Sequence, residues 1–289
     1  MENLTVNNSI SKNMKSRSLI LILCLFALVQ ILFISCNTTG KKVLKTKNDT
    51  VIIDMEVDKL GNYYLVDSEN SIKKFDKDQK LKYSYSNNQY GKPEMIDVIN
   101  PHKILVFYKQ QQILVFLDNT LAEISILTLN PDSFYAAAGM ANDGNIWLFD
   151  AYYYKLVKID FKGIQVEESF PYDVINPAKI SGSKIIERGN YVMIVDNDDN
   201  VFLYNNTGYF IKKIHLPGIV KPTILEEKIY YFNKINNTYS SYDLKYREES
   251  ITYDFKDLKP SLVLYENDKF YIITNNKVSV IPLRNAQHY

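Results

Sequence analysis

The side chains that most often carry enzymatic chemistry are few and scattered in this sequence of 289 residues. It contains three histidines and two cysteines. His102, His215 and His288 are far apart along the chain and lack the spacing typical of metal ligands. No Ser/His/Asp grouping suggests a catalytic nucleophile. We therefore predict no catalytic residue, no metal site and no cofactor, while paired carboxylates drawn from distant segments stay open as an alternative.

One acidic run resembles the first half of a calcium-binding loop. Asp196-Asn-Asp-Asp-Asn200 places side-chain oxygens at alternate positions. The calcium pattern then requires a glycine and a closing glutamate, but this chain has Val201 and Thr207 there. The run therefore favours a polar hairpin turn over a cation site.

The overall charge argues against a nucleic-acid partner. The chain has 34 basic and 33 acidic residues, which gives a formal net charge of +1. Proteins that bind nucleic acid through phosphate contacts carry a marked basic excess or patch. We therefore predict that no nucleic acid is bound.

The N-terminal segment is typical of an export signal. Lys12, Lys15 and Arg17 precede an apolar run over residues 19–33, which is shorter than the roughly 20 residues that span a bilayer. The run ends close to Cys36 and resembles a bacterial lipoprotein signal, in which the cysteine is acylated and becomes the mature N-terminus. An uncleaved membrane anchor is the alternative, and either form would tether the protein to a membrane.

These features divide the N-terminus into two predicted parts. Residues 1–36 form a lipoprotein signal ending at the lipidated cysteine, with Met14 as an alternative start, and residues 37–48 form a flexible tether. Surface-exported lipoproteins of the Bacteroidetes often carry acidic residues just after the cysteine, where this chain has Lys41 and Lys42. That comparison favours an anchor on the periplasmic side of the outer membrane.

The rest of the chain repeats about every 41 residues. Strong strand patterns begin at Tyr63, Ile104, Ile146, Tyr191, Ile229 and Phe270, with spacings of 41, 42, 45, 38 and 41. A polar residue that closes the next strand recurs in step, at Asp76, Asp118, Asp160, Asn205 and Asp243. A period of about 40 to 45 residues with four strands per unit is typical of a β-propeller blade.

We therefore predict an all-β fold, a six-bladed β-propeller with four-stranded blades over residues 49–284. Residues 285–289 form a C-terminal tail. The last unit offers only three strand patterns, and Thr50-Val-Ile-Ile53 is left over at the other end. We predict that this N-terminal strand closes the ring as the outer strand of blade six, which would remove two free sheet edges.

Three turns carry a resemblance to a known family. Asp58-Lys-Leu-Gly-Asn62, Asn142-Asp-Gly-Asn145 and Glu187-Arg-Gly-Asn190 each precede a strand that ends in Asp. In this the chain resembles NHL-like six-bladed propellers, particularly the propeller lipoproteins of the Bacteroidetes. The resemblance implies the fold and an envelope location, but a fold alone names no ligand.

The same resemblance raises an enzymatic alternative. Six-bladed propellers of the lactonase type hold a divalent cation with acidic and amide side chains in the channel. The acids Asp58, Asp143, Glu187 and Glu227 recur before the second strands. We expect them in the first hairpin turn of each blade, where turn formation explains an acidic residue more simply.

Tyrosines supply the candidate binding surface. Propellers place the connections between blades on one face, together with the hairpins between second and third strands. The predicted rim on that face consists of Tyr90, Tyr108, Tyr135, Tyr152, Tyr153, Tyr154 and Tyr172. Tyrosine combines a flat apolar ring with a hydroxyl, which suits stacking on sugars or anchoring a protein. Tyrosine is also a strong strand former, so the alternative is that these side chains fill β surfaces.

Together these features predict a non-catalytic envelope lipoprotein whose propeller binds a protein partner or a glycan through one face. The alternative is a metal-dependent hydrolase or lactonase of the six-bladed type. In addition, Asp49-Thr50-Val51 resembles the O-glycosylation signal of the Bacteroidetes, which would make Thr50 a modification site.

Overall fold

A computed structural model describes residues 50–172, 175–180 and 184–283. The chain divides into two compact units, residues 1–41 and 42–289, and all described residues lie in the second. The predictions for the signal, Cys36, the tether and the C-terminal tail fall outside the described residues. Within them, no helix has the length and apolar character needed to cross a membrane.

The described chain forms six antiparallel sheets, each built from strands that are consecutive in sequence. Blades one to three comprise β1 (Ile52–Val57), β2 (Tyr63–Asp67), β3 (Ile72–Phe75), β4 (Leu81–Tyr85); β5 (Met95–Asp97), β6 (Ile104–Tyr108), β7 (Ile113–Leu117), β8 (Glu123–Thr128); and β9 (Tyr135–Met140), β10 (Ile146–Asp150), β11 (Lys155–Ile159), β12 (Gln165–Glu168). Blades four to six comprise β13 (Ile186–Arg188), β14 (Tyr191–Val195), β15 (Asn200–Asn205), β16 (Phe210–His215); β17 (Ile219–Leu225), β18 (Lys228–Asn233), β19 (Thr238–Asp243), β20 (Glu249–Asp254); and β21 (Leu262–Glu266), β22 (Lys269–Thr274), β23 (Lys277–Pro282). A short 3₁₀ helix, Pro177–Lys179, lies between blades three and four. The predicted all-β six-bladed propeller is confirmed.

The core lies between neighbouring blades. Every residue of β2, β6 and β10 is buried, because successive side chains of a strand point to opposite faces and each face packs on a different blade. In β2, Tyr64 packs with Ile104 of blade two, while Tyr63 packs with Tyr271 of blade six. The ring is thus continuous from blade six to blade one.

The first described residues pair in a different way from the one that the sequence predicted. Ile52 and Ile53 belong to β1, the first strand of blade one, where Ile52 is paired with Asp67. The prediction that residues 50–53 form the outer strand of blade six is wrong, because they continue into the inward-facing Met55 and the turn to β2. Blade six has three strands in the described part of the chain.

The recurring polar marker is explained by the turn after each third strand. In blades one to four a single side-chain oxygen accepts backbone N–H groups from the residues two and four positions later, as Asp118 does from Thr120 at 2.7 Å and Ala122 at 3.0 Å. These bonds stabilise a tight turn, because the side-chain oxygen accepts backbone N–H groups that would otherwise bond to water. Asp196 makes the same pair of bonds to Asp198 and Asn200, so the run that resembles a calcium loop is a hairpin turn, as predicted.

Candidate functional site: the loop face and the axial channel

The connections between blades lie against the hairpins that join second and third strands. After β8, the Leu129 N–H donates to Gln112 in the hairpin β6–β7 at 2.9 Å. After β20, the Phe255 N–H donates to Asn237 in the hairpin β18–β19 at 2.8 Å. We call the surface formed by these connections and hairpins the loop face.

Three consecutive tyrosines form the most exposed aromatic group of the loop face. Tyr152, Tyr153 and Tyr154 occupy the hairpin β10–β11 and are 63, 55 and 39% exposed. The Asp150 carboxylate accepts the N–H groups of Tyr152 and Tyr153 at 2.9 and 3.2 Å. Tyr154 has a left-handed backbone with φ of 55°, and its carbonyl accepts the Tyr172 N–H at 2.8 Å. The hairpin backbone is therefore fixed while its rings face solvent.

Tyr90 and Tyr172 are partly buried beside this surface. The Tyr90 ring lies 5.3 Å from the Tyr108 ring, and the Tyr172 ring lies 5.2 Å from that of Phe210. Each therefore offers part of a ring to solvent and uses the remainder for packing.

Two tyrosines of the predicted rim are core residues. Tyr108 ends β6 and is fully buried, and Tyr135 begins β9 and is 6% exposed. Burial raises the pKa of both hydroxyls. They are not accessible to a partner, because strand ends close to the loop face still pack against the adjacent blade.

Thr50 is also buried, which disfavours a glycan on its hydroxyl in the folded protein.

Sequence reasoning missed an exposed aromatic pair at the outer edge of the ring. Phe170 is 62% exposed, and its ring lies 5.7 Å from that of Tyr209 in the next blade. The two rings border a cavity of about 510 Å³ between blades three and four, with Lys155 and Glu168 beside it. The signal in the sequence was an apolar residue between Ser169 and Pro171, in a loop otherwise lacking apolar alternation.

The first strands of five blades border an axial channel with a volume of about 590 Å³. Four blades contribute to an inner charge cluster: Asp54, Glu56, Lys184 and Lys221 line the channel, and Asp97 joins them through its ion pair with Lys184. The Lys184 ammonium lies 3.1 Å from Glu56 and 3.2 Å from Asp97. The Lys221 ammonium lies 2.7 Å from Glu56 and 2.6 Å from Asp54. Sequence reasoning did not find this cluster.

The cluster keeps Glu56 ionised despite its burial. Burial alone would raise the pKa of Glu56, but the charges of Lys184 and Lys221 and their hydrogen bonds hold it at about 2. Burial alone would likewise lower the pKa of Lys221, but Asp54 and Glu56 raise it above its usual range. A buried charge is tolerated when it is paired and hydrogen-bonded. The inner charge cluster therefore links blades one, two, four and five.

A close backbone contact completes the inner ring between blades three and four. The Ile185 N–H donates to Ala138 of β9 at 2.8 Å. A Cβ placed on Gly139 would lie 1.8 Å from the Ile185 carbonyl oxygen. Only glycine permits this approach, which positions Lys184 beside Asp97 and Glu56.

Two of the acids that raised the metal alternative, Asp58 and Glu187, have structural partners. Asp58 accepts N–H groups of Leu60 and Asn62 and the Tyr64 hydroxyl. Glu187 lies in β13 rather than in a turn, and it accepts the Trp147 indole N–H at 2.8 Å. No group of three or more His, Cys, Asp or Glu side chains among the described residues is arranged to hold a metal ion.

Comparisons with known proteins support the fold and leave the ligand open. No family model and no curated relative matches the sequence. A protein of unknown function from Bacteroides caccae is similar in structure, with a TM-score of 0.52 and 13% identity over 71% of this chain and 79% of that one. A catalytically inactive histidine-to-alanine variant of virginiamycin B lyase from Staphylococcus aureus, determined with quinupristin, is similar with a TM-score of 0.56. Its sequence identity is 15% over 86% of this chain and 90% of that one. The Pan2 WD40 domain of Neurospora crassa is similar with a TM-score of 0.56 and 13% identity over 83% of this chain and 78% of that one.

Identities this low show a shared fold only, and the roles of the neighbours differ. His102 lies in the turn β5–β6 and His215 ends β16, both exposed and neither on the channel wall. The chain is thus a six-bladed β-propeller.

Proposed function

We propose that this protein is a non-catalytic envelope lipoprotein whose loop face binds a protein partner or a glycan. The observation that supports this most directly is the hairpin of Tyr152, Tyr153 and Tyr154, whose rings are exposed on a hydrogen-bonded backbone. Aromatic side chains held in place lose little entropy on binding, and tyrosine is enriched among the residues that dominate interfaces. Protein and glycan partners both use this combination of ring and hydroxyl.

The lipoprotein part of the proposal comes from the sequence. A basic start, an apolar run and Cys36 form the signal, and no cysteine follows Cys36 in the chain. A lipid on Cys36 would place the propeller at the periplasmic side of the outer membrane. An anchored propeller presenting a fixed aromatic hairpin is suited to assembling or capturing components at that surface.

The inner charge cluster supports a structural role better than a catalytic one. Its acids Glu56, Asp54 and Asp97 are each paired with a lysine ammonium within 3.2 Å. A hydrolase would need an acid free to hold a cation or to transfer a proton. We therefore assign the inner charge cluster to stability and the loop face to binding.

The experiment that tests this function is capture with a matched tyrosine control. Tagged wild-type lipoprotein, the triple variant Tyr152→Ala/Tyr153→Ala/Tyr154→Ala and the variant Tyr246→Ala would be compared. Tyr246 is 66% exposed but lies in the hairpin β19–β20, away from the loop face. Pull-down from detergent-solubilised envelopes reports a protein partner, and a glycan array reports a sugar. We expect the triple variant alone to lose capture by at least tenfold; undiminished capture by a folded triple variant would overturn the role of the loop face.

A further inference from the structure

Two exposed aromatic rings meet at the cavity between blades three and four. Phe170 follows β12 of blade three, and Tyr209 belongs to the hairpin β15–β16 of blade four. Their ring centroids are 5.7 Å apart, and the ring planes are inclined by 53°. The two side chains are 62 and 51% exposed, so the contact between them covers only part of each ring. The cavity therefore has two aromatic faces that are open to solvent.

The backbone that carries these rings is fixed on both blades. The Ser169 hydroxyl donates to the Phe170 carbonyl at 2.8 Å, and Pro171 restricts the backbone on the other side. In blade four the Tyr209 N–H donates to the side-chain oxygen of Asn205 at 2.8 Å. Side chains on a fixed backbone lose less freedom when a ligand binds. The aromatic pair is thus prepared for a ligand before binding.

Gly208 brings the two blades close enough for the rings to meet. Its φ is 80°, in the left-handed region that favours glycine, and a Cβ placed on it would lie 3.2 Å from the Ser169 Cβ. Gly208 precedes Tyr209 in the chain, and Ser169 precedes Phe170. The close approach of the two blades therefore places the rings side by side.

The charged side chains on the cavity wall are paired. Lys155 forms an ion pair with Glu168, whose carboxylate also accepts the side-chain N–H of Gln165 at 3.1 Å. Glu167 lies 3.2 Å from the Lys158 ammonium. An ionised carboxylate has about four lone-pair sites and an ammonium has three donors, so each group can still bind a ligand. The two ion pairs together offer donors and acceptors and carry no net charge.

We propose that this cavity binds a neutral sugar ring of an oligosaccharide. A pyranose has an apolar C–H face that packs on an aromatic ring, and its hydroxyls both donate and accept hydrogen bonds. It matches the aromatic faces of Phe170 and Tyr209 and the mixed donors and acceptors of the ion pairs. An apolar side chain of a protein would contact the rings but not the ion pairs. The volume of about 510 Å³ is within the range of small-molecule sites, roughly 300–1,000 Å³.

Lys155 connects the cavity with the tyrosine hairpin of the loop face. Its side chain lines the cavity, and its ammonium lies 5.5 Å from the centre of the Tyr153 ring. A bound oligosaccharide extends from the cavity past Lys155 towards Tyr153. This assignment, which rests on the proposed function, makes a glycan rather than a protein the ligand of the loop face.

Saturation-transfer NMR tests the cavity with small neutral probes. Methyl glycosides of glucose, galactose, mannose and N-acetylglucosamine would each be added to the full chain while the aromatic protons of the protein are irradiated. We expect transfer to at least one probe with wild type and none with Phe170→Ala/Tyr209→Ala. The matched control is Tyr246→Ala, because Tyr246 is 66% exposed in β19–β20, the equivalent hairpin of blade five. This control should behave as wild type.

A glycan array tests the affinity and the neutral character of the ligand. On neutral and acidic oligosaccharides, we expect wild type to retain neutral ones, with less than about a twofold change in affinity between about 50 and 500 mM NaCl. Phe170→Ala/Tyr209→Ala should weaken this binding at least about tenfold. Lys155→Met/Glu168→Gln, which removes one ion pair at nearly constant size, should weaken it about 3- to 10-fold.

The double variant has to be compared as a folded protein. Phe170 and Tyr209 are both exposed, so we expect its melting temperature to stay within about 2 °C of that of wild type. If it does not, Tyr209→Ala alone is measured in its place, with the same loss of sugar binding expected. Undiminished sugar binding by the folded variant would overturn the proposal.

The remaining outcomes separate this assignment from the proposed function. No sugar bound in either experiment, or retention of acidic oligosaccharides alone, would also overturn the cavity assignment. In that case, protein capture that depends on Tyr152, Tyr153 and Tyr154 would leave the function of the loop face standing. If the triple tyrosine variant keeps sugar binding and Phe170→Ala/Tyr209→Ala loses it, the cavity assignment is supported and the role of the tyrosine hairpin is wrong.

Discussion

Glu56 shows how a single carboxylate can be central to a ring. It is buried in the channel and lies within hydrogen-bond distance of Lys184 and Lys221, which come from blades four and five. Removing one charge from a paired and buried group leaves the others without compensation. The energetic effect of this residue should therefore exceed that of any exposed ion pair of the protein.

We predict that Glu56→Gln lowers the free energy of unfolding by about 3 kcal/mol at pH 7. This corresponds to a fall of roughly 6–12 °C in melting temperature. The matched control is Glu168→Gln, which breaks an ion pair with Lys155 at an exposed site and should cost less than about 1 kcal/mol. Calorimetry checks both values, and equal effects would show that the inner charge cluster adds no stability.

The difference in free energy of unfolding between wild type and Glu56→Gln depends on pH because the pKa of Glu56 is lowered. The folded protein holds this pKa at about 2, below the ordinary glutamate value of 4.5, so the unfolded chain binds the proton more readily. The stabilisation is fully present above pH 4.5 and is lost as the pH falls towards 2. Urea titrations of wild type and Glu56→Gln should therefore converge over this range. A gap that stays constant down to pH 2 would refute the assignment.

At the scale of elements, the packing of strand β9 against blade four requires a residue without a side chain at position 139. The space beside Gly139 is filled by the carbonyl of Ile185. We predict that Gly139→Ala destabilises the protein by about 1–3 kcal/mol or more, since the backbone of one blade has to move. Gly144→Ala is the control, because its Cβ meets no atom within 4 Å and only its positive φ is strained. Chemical denaturation should rank Gly139→Ala as the more damaging change.

The elements were predictable wherever their signals were local. Asp76, Asp118 and Asp160 marked the blades because each builds its own turn within four residues. The place of Ile52 was not predictable in this way, since a short apolar run fits an inner or an outer strand equally well. Only its pairing with Asp67 and its bond to Asn276 decide the question.

The candidate site was less predictable, for a physical reason. Tyr108 and Tyr153 both follow strand patterns in the sequence, but one is fully buried and the other is more than half exposed. The difference comes from the neighbouring blade. The inner charge cluster was hidden for the same reason, because Glu56 and Lys221 are 165 positions apart and meet only after the ring closes.

At the scale of the whole molecule, the proposed lipid attachment would depend on one residue, Cys36. We predict that Cys36→Ser abolishes labelling by a radioactive fatty acid and moves the protein from the membrane to the soluble fraction. Cys24→Ser, within the apolar run, should leave both labelling and fractionation unchanged. Retention of the Cys36→Ser protein in membranes without label would instead support an uncleaved N-terminal anchor.

The single tryptophan of the chain is an intrinsic fluorescence probe of one interface between blades. Trp147 is fully buried, donates to Glu187 across the boundary between blades three and four, and has the Lys158 ammonium 4.4 Å from its ring centre. Its emission therefore originates from one known seam of the propeller. During unfolding, a shift of that emission to longer wavelength before the far-ultraviolet circular dichroism changes would show that blades three and four separate first. No added label is needed.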